Sequence, residues 1–106
     1  MNNTLVLTGM MGSGKSSIGK ELSNILGLKF YDTDLEIEKK LNMTIPDIFK
    51  NKGENYFRKI EEKICIELIN GDEKIIALGG GTFLNKKIRE IVLKKSISVW
   101  IDVDIS

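Results

Sequence analysis

Thr4-Leu5-Val6-Leu7-Thr8-Gly9-Met10-Met11-Gly12-Ser13-Gly14-Lys15-Ser16 is the stretch on which the reading of this sequence turns. Thr4–Thr8 is a short β-prone run, and beyond the glycines Ile18, Leu22, Ile25 and Leu26 recur at helical spacing until Gly27. Between them, Gly9–Ser16 fits G-x-x-x-x-G-K-[ST] without a mismatch, in the strand, loop, helix context that the pattern requires. Glycines let such a loop curl with its N–H groups inward, and the helix N-terminus adds positive partial charge, which together make a cradle for phosphate oxygens. Lys15 is expected to reach the β- and γ-phosphates as a point charge and the Ser16 hydroxyl to coordinate Mg²⁺. The plainer alternative, a Gly-rich turn capping a helix, has no need of the lysine and the serine.

Outward from the loop, strands and helices alternate. Lys29-Phe30-Tyr31 reads as a second strand, and Thr33-Asp34-Leu35-Glu36 has the S/T-x-x-E spacing of a capping box that opens a helix through about Leu41. Thr44-Ile45-Pro46-Asp47 repeats the start signal and Asn51-Lys52-Gly53 supplies a stop. Phe57, Ile60, Ile64 and Leu68 form an apolar stripe on a longer helix that ends near Asn70-Gly71-Asp72. Ile75–Leu78 is a continuous apolar run, the mark of a strand buried on both faces, and Gly79-Gly80-Gly81 breaks it. Leu84, Ile88, Ile91 and Val92 restore helical spacing, and Ser98–Val103 is a last strand. The pattern predicts an α/β fold: an open parallel sheet flanked by helices, with right-handed crossovers. No linker or repeat interrupts it, so residues 1–106 read as a single domain.

Composition narrows the chemistry. The 106 residues hold 42% apolar side chains, enough for one core without a disulfide or metal staple. Sixteen basic against fifteen acidic residues leave a net charge of +1, which lacks the basic excess that nucleic acid binding demands. Apolar runs are far too short to cross a bilayer and no leader is visible, so a cytoplasmic protein without membrane contact is expected. With one cysteine, Cys65, and no histidine, disulfide frameworks, thiol–imidazole pairs, Ser-His-Asp triads and His- or multi-Cys zinc sites are excluded. Any metal must be held by oxygen, as Mg²⁺ prefers, and Cys65 reads as core.

Three further groups carry candidate chemistry. Asp32 and Asp34 stand at the carboxyl end of a strand, the edge of an open α/β sheet where ligands gather. Both acids suit a helix N-terminus, and beside a phosphate loop one would support a Mg²⁺ shell through water while the other accepts a hydroxyl proton. Gly79-Gly80-Gly81 suggests either close backbone approach to a ligand or a flexible loop. Arg58 and Glu61 sit at i,i+3 on the long helix, a solvated ion pair in the ordinary case. If that helix faces the phosphate site, they become a preset guanidinium fork for a substrate carboxylate.

Taken in order and spacing, G-M-M-G-S-G-K-S, D-T-D, G-E-x-x-F-R-x-x-E and G-G-G-T resemble the shikimate kinase family over nearly the whole chain. That family phosphorylates the 3-hydroxyl of shikimate with MgATP on the aromatic amino acid (chorismate) route. The resemblance implies a P-loop kinase fold with strands ordered 2-3-1-4-5, and substrate-binding helices over about 33–70. It implies that Gly12, Ser13, Gly14, Lys15, Ser16 and Ser17 hold the ATP phosphates, with Lys15 on the transferring phosphoryl group. Ser16 binds Mg²⁺ and Asp32 its water shell. Asp34 binds shikimate hydroxyls and acts as catalytic base, Arg58 clamps the shikimate carboxylate, Glu61 orients Arg58, and Gly80 and Gly81 meet the ring. Phe49 and Phe57 wall the pocket. ATP and shikimate are the expected partners, and a monomer is expected. Members of the family continue into an Arg-bearing lid and a further strand, so a truncated, poorly active chain is also expected. The alternatives are another P-loop small-molecule kinase, of gluconate or nucleotide type, and a nucleotide-binding module that transfers nothing. Arg58 and the triple glycine argue against the first. A guanine reader of the type N-K-x-D would favour the second, and Asn51-Lys52-Gly53-Glu54 misses its aspartate.

Overall fold

The computed structural model describes residues 4–9, 15–79, 82 and 85–101, with Lys15, Ser16, Val99, Trp100 and Ile101 described in their backbone alone. Four strands, β1 (Leu5–Gly9), β2 (Phe30–Asp32), β3 (Ile75–Ala77) and β4 (Ile97–Ile101), form a parallel sheet in the order β2-β3-β1-β4. This is the order expected of the strands within the described residues. Registers Leu5↔Ile75, Phe30↔Ile75 and Leu5↔Ile97 bring the carboxyl ends of β1, β2 and β3 to one edge.

Five helices connect and cover the strands: α1 (Lys15–Leu26), α2 (Thr33–Leu41), α3 (Ile45–Lys52), α4 (Glu54–Asn70) and α5 (Lys86–Lys95). The period-2 alternation of strands divides the core in two. Val6 and Ile76 face one way and pack with Leu78, with Cys65 and Ile69 of α4, and with Ile88 and Val92 of α5. Leu7 and Ile75 face the other way, against Ile18 and Leu22 of α1 and against Leu28 and Phe30. A third cluster, Ile37, Ile48, Phe57 and Ile64, fastens α2 and α3 to the first half of α4. Each of these side chains removed from water contributes on the order of 1.5–3 kcal/mol.

The predicted stripe on α1 holds only in its first half. Ile25 and Leu26 are 76% and 50% exposed, and the contact expected of them is made by Leu28 and Phe30 as the chain returns to the sheet. Gly19 on the buried side of α1 lies so close to β2 that a Cβ there would stand 2.2 Å from the Phe30 ring.

The start of α2 also differs from the capping-box reading. Asp32 is the N-cap, its Oδ1 accepting from the N–H groups of Asp34 at 2.9 Å and Leu35 at 3.3 Å. Thr33, expected to cap, is fully buried, and its Oγ1 instead accepts from the N–H of Gly79 at 3.0 Å. Either residue type can cap a helix. The tertiary bond to β3's end claims the threonine and leaves the cap to the aspartate. At α3 the reading holds: Thr44 caps by accepting from Asp47 N–H, with Pro46 in the first turn. The C-terminal end of α4 has no basic residue in its last turn; Lys74, only 7% exposed, folds back and donates to the carbonyl of Leu68. Burial lowers the Lys74 pKa, with Asp72 opposing.

Candidate active site

Two of the predicted site residues gather near the edge formed by the ends of β2 and β3, and each forms one arm of the candidate site. The first is Asp34, set in the opening turn of α2 by the Asp32 cap. Its carboxylate lies against the backbone of Gly79, just past β3: a Cβ on Gly79 would stand 2.5 Å from Asp34 Oδ1 and 2.9 Å from Oδ2. The glycine therefore serves close approach to a side chain of the site, a reason for its identity that the sequence alone did not show.

The second arm is Arg58 near the start of α4. Its Nη1 donates to both carboxylate oxygens of Glu61, at 3.1 Å and 3.3 Å, while its Nε faces Glu54 at 3.7 Å. Glu61 is not on a solvated face, as an i,i+3 pair ordinarily is. It is 1% exposed, and its Oε2 also accepts from the hydroxyl of Thr82 at 2.7 Å. A buried carboxylate is costly unless paired and hydrogen-bonded, and Glu61 is both. It thus holds one side of a half-exposed guanidinium whose Nε faces Glu54.

Phe57, 4% exposed, belongs to the α2-α3-α4 core, and Phe49 stacks on it at 4.8 Å between centroids while remaining 37% exposed. The Arg58 guanidinium carbon lies 5.3 Å from the Phe57 ring centre, so the Phe57 ring underlies the arginine. The two arms meet through one short link. Gly79 touches α2, Thr82 touches α4, and the N–H of Thr82 donates to the carbonyl of Gly79 at 3.1 Å.

Gly12, Ser13, Gly14, Gly80 and Gly81 lie outside the described residues, as do the side chains of Lys15 and Ser16, which are the first two residues of α1. Ser17 is exposed on the next position of that helix. Among the described residues no group of three or more His, Cys, Asp or Glu side chains is arranged to hold a metal ion. Two cavities of about 420 and 390 Å³ lie around Lys74, and none of their lining residues is a predicted site residue. Below the site, Cys65 is buried, and burial together with the nearby carboxylates of Glu61, Asp34 and Glu62 pushes its thiol pKa well above the ordinary range. It is a core residue, not a nucleophile. Among the described residues no helix is long and apolar enough to cross a membrane.

A parallel sheet in this strand order, with a G-x-x-x-x-G-K-S segment leading from β1 into α1 and side chains gathered at the neighbouring strand ends, is the P-loop kinase fold. Within that class the chain belongs to the shikimate kinase family, whose family model, described as "Shikimate kinase", matches residues 11–106. The shikimate kinase of Zymomonas mobilis is 45% identical over 102 residues, covering 96% of this chain and 58% of that protein. Among solved structures, shikimate kinase from Acinetobacter baumannii in complex with shikimate superposes with a TM-score of 0.93 at 36% identity, covering 98% of this chain and 58% of that one. Shikimate kinase from Aquifex aeolicus gives 0.90 at 37% identity, covering 96% and 61%. The chain thus spans about half to three fifths of the length of the relatives it matches.

Proposed function

We propose that this chain carries the phosphate- and acceptor-binding part of an enzyme that transfers the γ-phosphoryl group of ATP to the 3-hydroxyl of shikimate, giving shikimate 3-phosphate and ADP in aromatic amino acid (chorismate) biosynthesis. The observation that carries this reading is Arg58 held at the site's edge by a buried, doubly bonded Glu61. A guanidinium fixed in this way is built for a carboxylate, and shikimate, bound in the Acinetobacter baumannii relative, is a hydroxylated ring acid.

In this reading Arg58 clamps the shikimate carboxylate with the part of its guanidinium that neither Glu61 nor Glu54 engages, and Phe49 and Phe57 support that side of the pocket. Asp34 accepts hydrogen bonds from ring hydroxyls and takes the proton of the attacking one, its place fixed by the Asp32 cap and the Gly79 contact. The backbone at Gly80 and Gly81 meets the ring. N–H groups of the loop at Gly12, Ser13 and Gly14, together with Lys15, Ser16 and Ser17, receive the ATP phosphates, and Lys15 offsets charge on the transferring group. Phosphoryl transfer asks little covalent work of a protein, so alignment and charge neutralisation supply the rate. The oxygen donors available, the Ser16 hydroxyl and the Asp32 carboxylate acting through water, suit Mg²⁺. When bound with ATP the ion supplies charge neutralisation at the phosphates. Asp32 serves α2 at the same time, since one of its oxygens is the helix cap. The enzyme is proposed to act as a cytoplasmic monomer that binds neither nucleic acid nor membrane.

The test is a calorimetric titration of the chain with shikimate, with gluconate and with ATP in turn. Shikimate binding that Arg58→Ala weakens on the order of a hundredfold, with ATP binding unchanged, is the expected result for loss of a charge-assisted fork. Binding of gluconate in preference to shikimate, or shikimate binding indifferent to Arg58→Ala, would overturn the proposal.

A further inference from the structure

Among the described residues Glu61 is held from two sides, and of these two partners Arg58 is part of the function just proposed. The other is Thr82, wholly buried, whose hydroxyl donates to Glu61 Oε2 at 2.7 Å. We propose that Thr82 is a positioning residue: its hydroxyl fixes the plane of the Glu61 carboxylate and, through it, the direction in which Arg58 presents its guanidinium to the acceptor's carboxylate. The inference rests on the role of Arg58 proposed above.

Three observations lead there. Glu61 and Arg58 lie three residues apart on one helix, so Arg58 alone leaves the carboxylate free to swing with it about their shared helix surface. Thr82 comes from a different part of the chain, and a donor from a separate element fixes the orientation that a donor on the same helix cannot. Thr82 itself is pinned in its main chain, its N–H donating to Gly79 O at 3.1 Å and its carbonyl accepting from Asn85 N–H at 3.1 Å. Asn85 in turn donates from Nδ2 to Glu62 Oε1 at 2.7 Å and caps α5 by accepting from Ile88 N–H. Neighbouring acids on α4 are therefore each gripped by the segment following β3. Because the N–H of Gly79 is tied to Thr33, beside Asp34, the same segment sets the spacing between the acid arm and the arginine arm.

The experiment compares the chain with its Thr82→Val and Thr82→Ser variants, the first keeping the shape without the donor and the second keeping the donor. Arg58 and Arg89 are the only arginines in the sequence, and Arg89 is exposed, so ¹⁵N relaxation of the two Nε–H groups reads Arg58 against an internal standard. A shikimate titration supplies the second readout. Thr82→Val is expected to give Arg58 the mobility of Arg89 and to weaken shikimate binding about tenfold, with ATP binding unchanged and Thr82→Ser restoring both. Should Thr82→Val not fold, Thr82→Ala carries the same expectation. A folded hydroxyl-free variant in which Arg58 stays rigid, or a serine variant that behaves as the valine one, would overturn the proposal. If the unsubstituted chain binds no shikimate, the functional reading fails, while the mobility of Arg58 still decides whether Thr82 positions it.

Discussion

Gly79→Ala isolates the geometry of Asp34 from every other property of the site. Gly79 does not occupy the left-handed region, so alanine adopts its backbone conformation without strain, and the substitution adds one methyl group and nothing else. That methyl would stand 2.5 Å from Asp34 Oδ1, 2.9 Å from Oδ2 and 3.0 Å from Cγ. Ordinary contact begins near 3.4 Å, so the carboxylate must withdraw by about 1 Å, and in the proposed role of Asp34 as proton acceptor a misplacement of that size costs about a hundredfold in rate. Being half-buried, Asp34 has room to move, so the cost in folding stability is about 1 kcal/mol, at the low end for overpacking. The assay is ATP-dependent phosphorylation of shikimate relative to the unsubstituted chain, alongside thermal unfolding of a double-mutant cycle with Asp34→Ala. Turnover is expected to fall about a hundredfold, shikimate binding by less than tenfold, and the stability cost to vanish once the carboxylate is gone. Unchanged turnover in folded Gly79→Ala, or a stability cost that persists without Asp34, would refute the claim that this glycine exists to admit that acid.

Two other perturbations probe the scaffold. In the unfolded chain the Cys65 thiol ionises near pH 8.5 or so, whereas the folded one, raised by burial and by nearby carboxylates, keeps its proton. The native state thus binds more protons above that pH, and stability falls as pH rises, by up to about 1.4 kcal/mol per unit. Urea unfolding should show the advantage of the native chain over Cys65→Ala shrinking between pH 8 and 10, and a constant gap would contradict the assignment. Gly19→Ala drives a Cβ to 2.2 Å from the Phe30 ring and is expected to cost about 1–3 kcal/mol. Thermal denaturation should recover most of that loss in a Phe30→Leu background, and equal losses in both backgrounds would show that the ring is not what the methyl meets.

How much of this was legible in the sequence depended on whether the signal was local. The strand-to-helix passage at Lys15, the start of α3 at Thr44 and the apolar stripe of α4 each declare themselves within a few residues, and the structure follows them. The start of α2 was displaced by one residue because the hydrogen bond that claims Thr33 comes from Gly79, 46 positions away. Exposure of Ile25 and Leu26 has the same origin, since periodicity reports which face of a helix is apolar and not where the covered sheet ends. At the site, Asp34, Arg58 and Glu61 were visible as residue types at chemically useful spacing. The burial of Glu61, which turns an ordinary surface ion pair into a fixed fork, was not, because its second partner, Thr82, is remote in sequence. A threonine directly after three glycines was the one hint available, and spacing gave it no function.

The parallel order β2-β3-β1-β4 also governs how the molecule is made. β1 is synthesised before the other described strands, yet its two neighbours among them are residues 75–77 and 97–101, so this apolar strand has neither of them until β3 and β4 have left the ribosome. At about 5–20 residues per second that interval is on the order of 5–20 s. For that time Val6 and Leu7, destined for full burial, remain open to chaperones and to aggregation, and the middle helices, whose contacts with one another are local, have every opportunity to assemble before the sheet that they will cover.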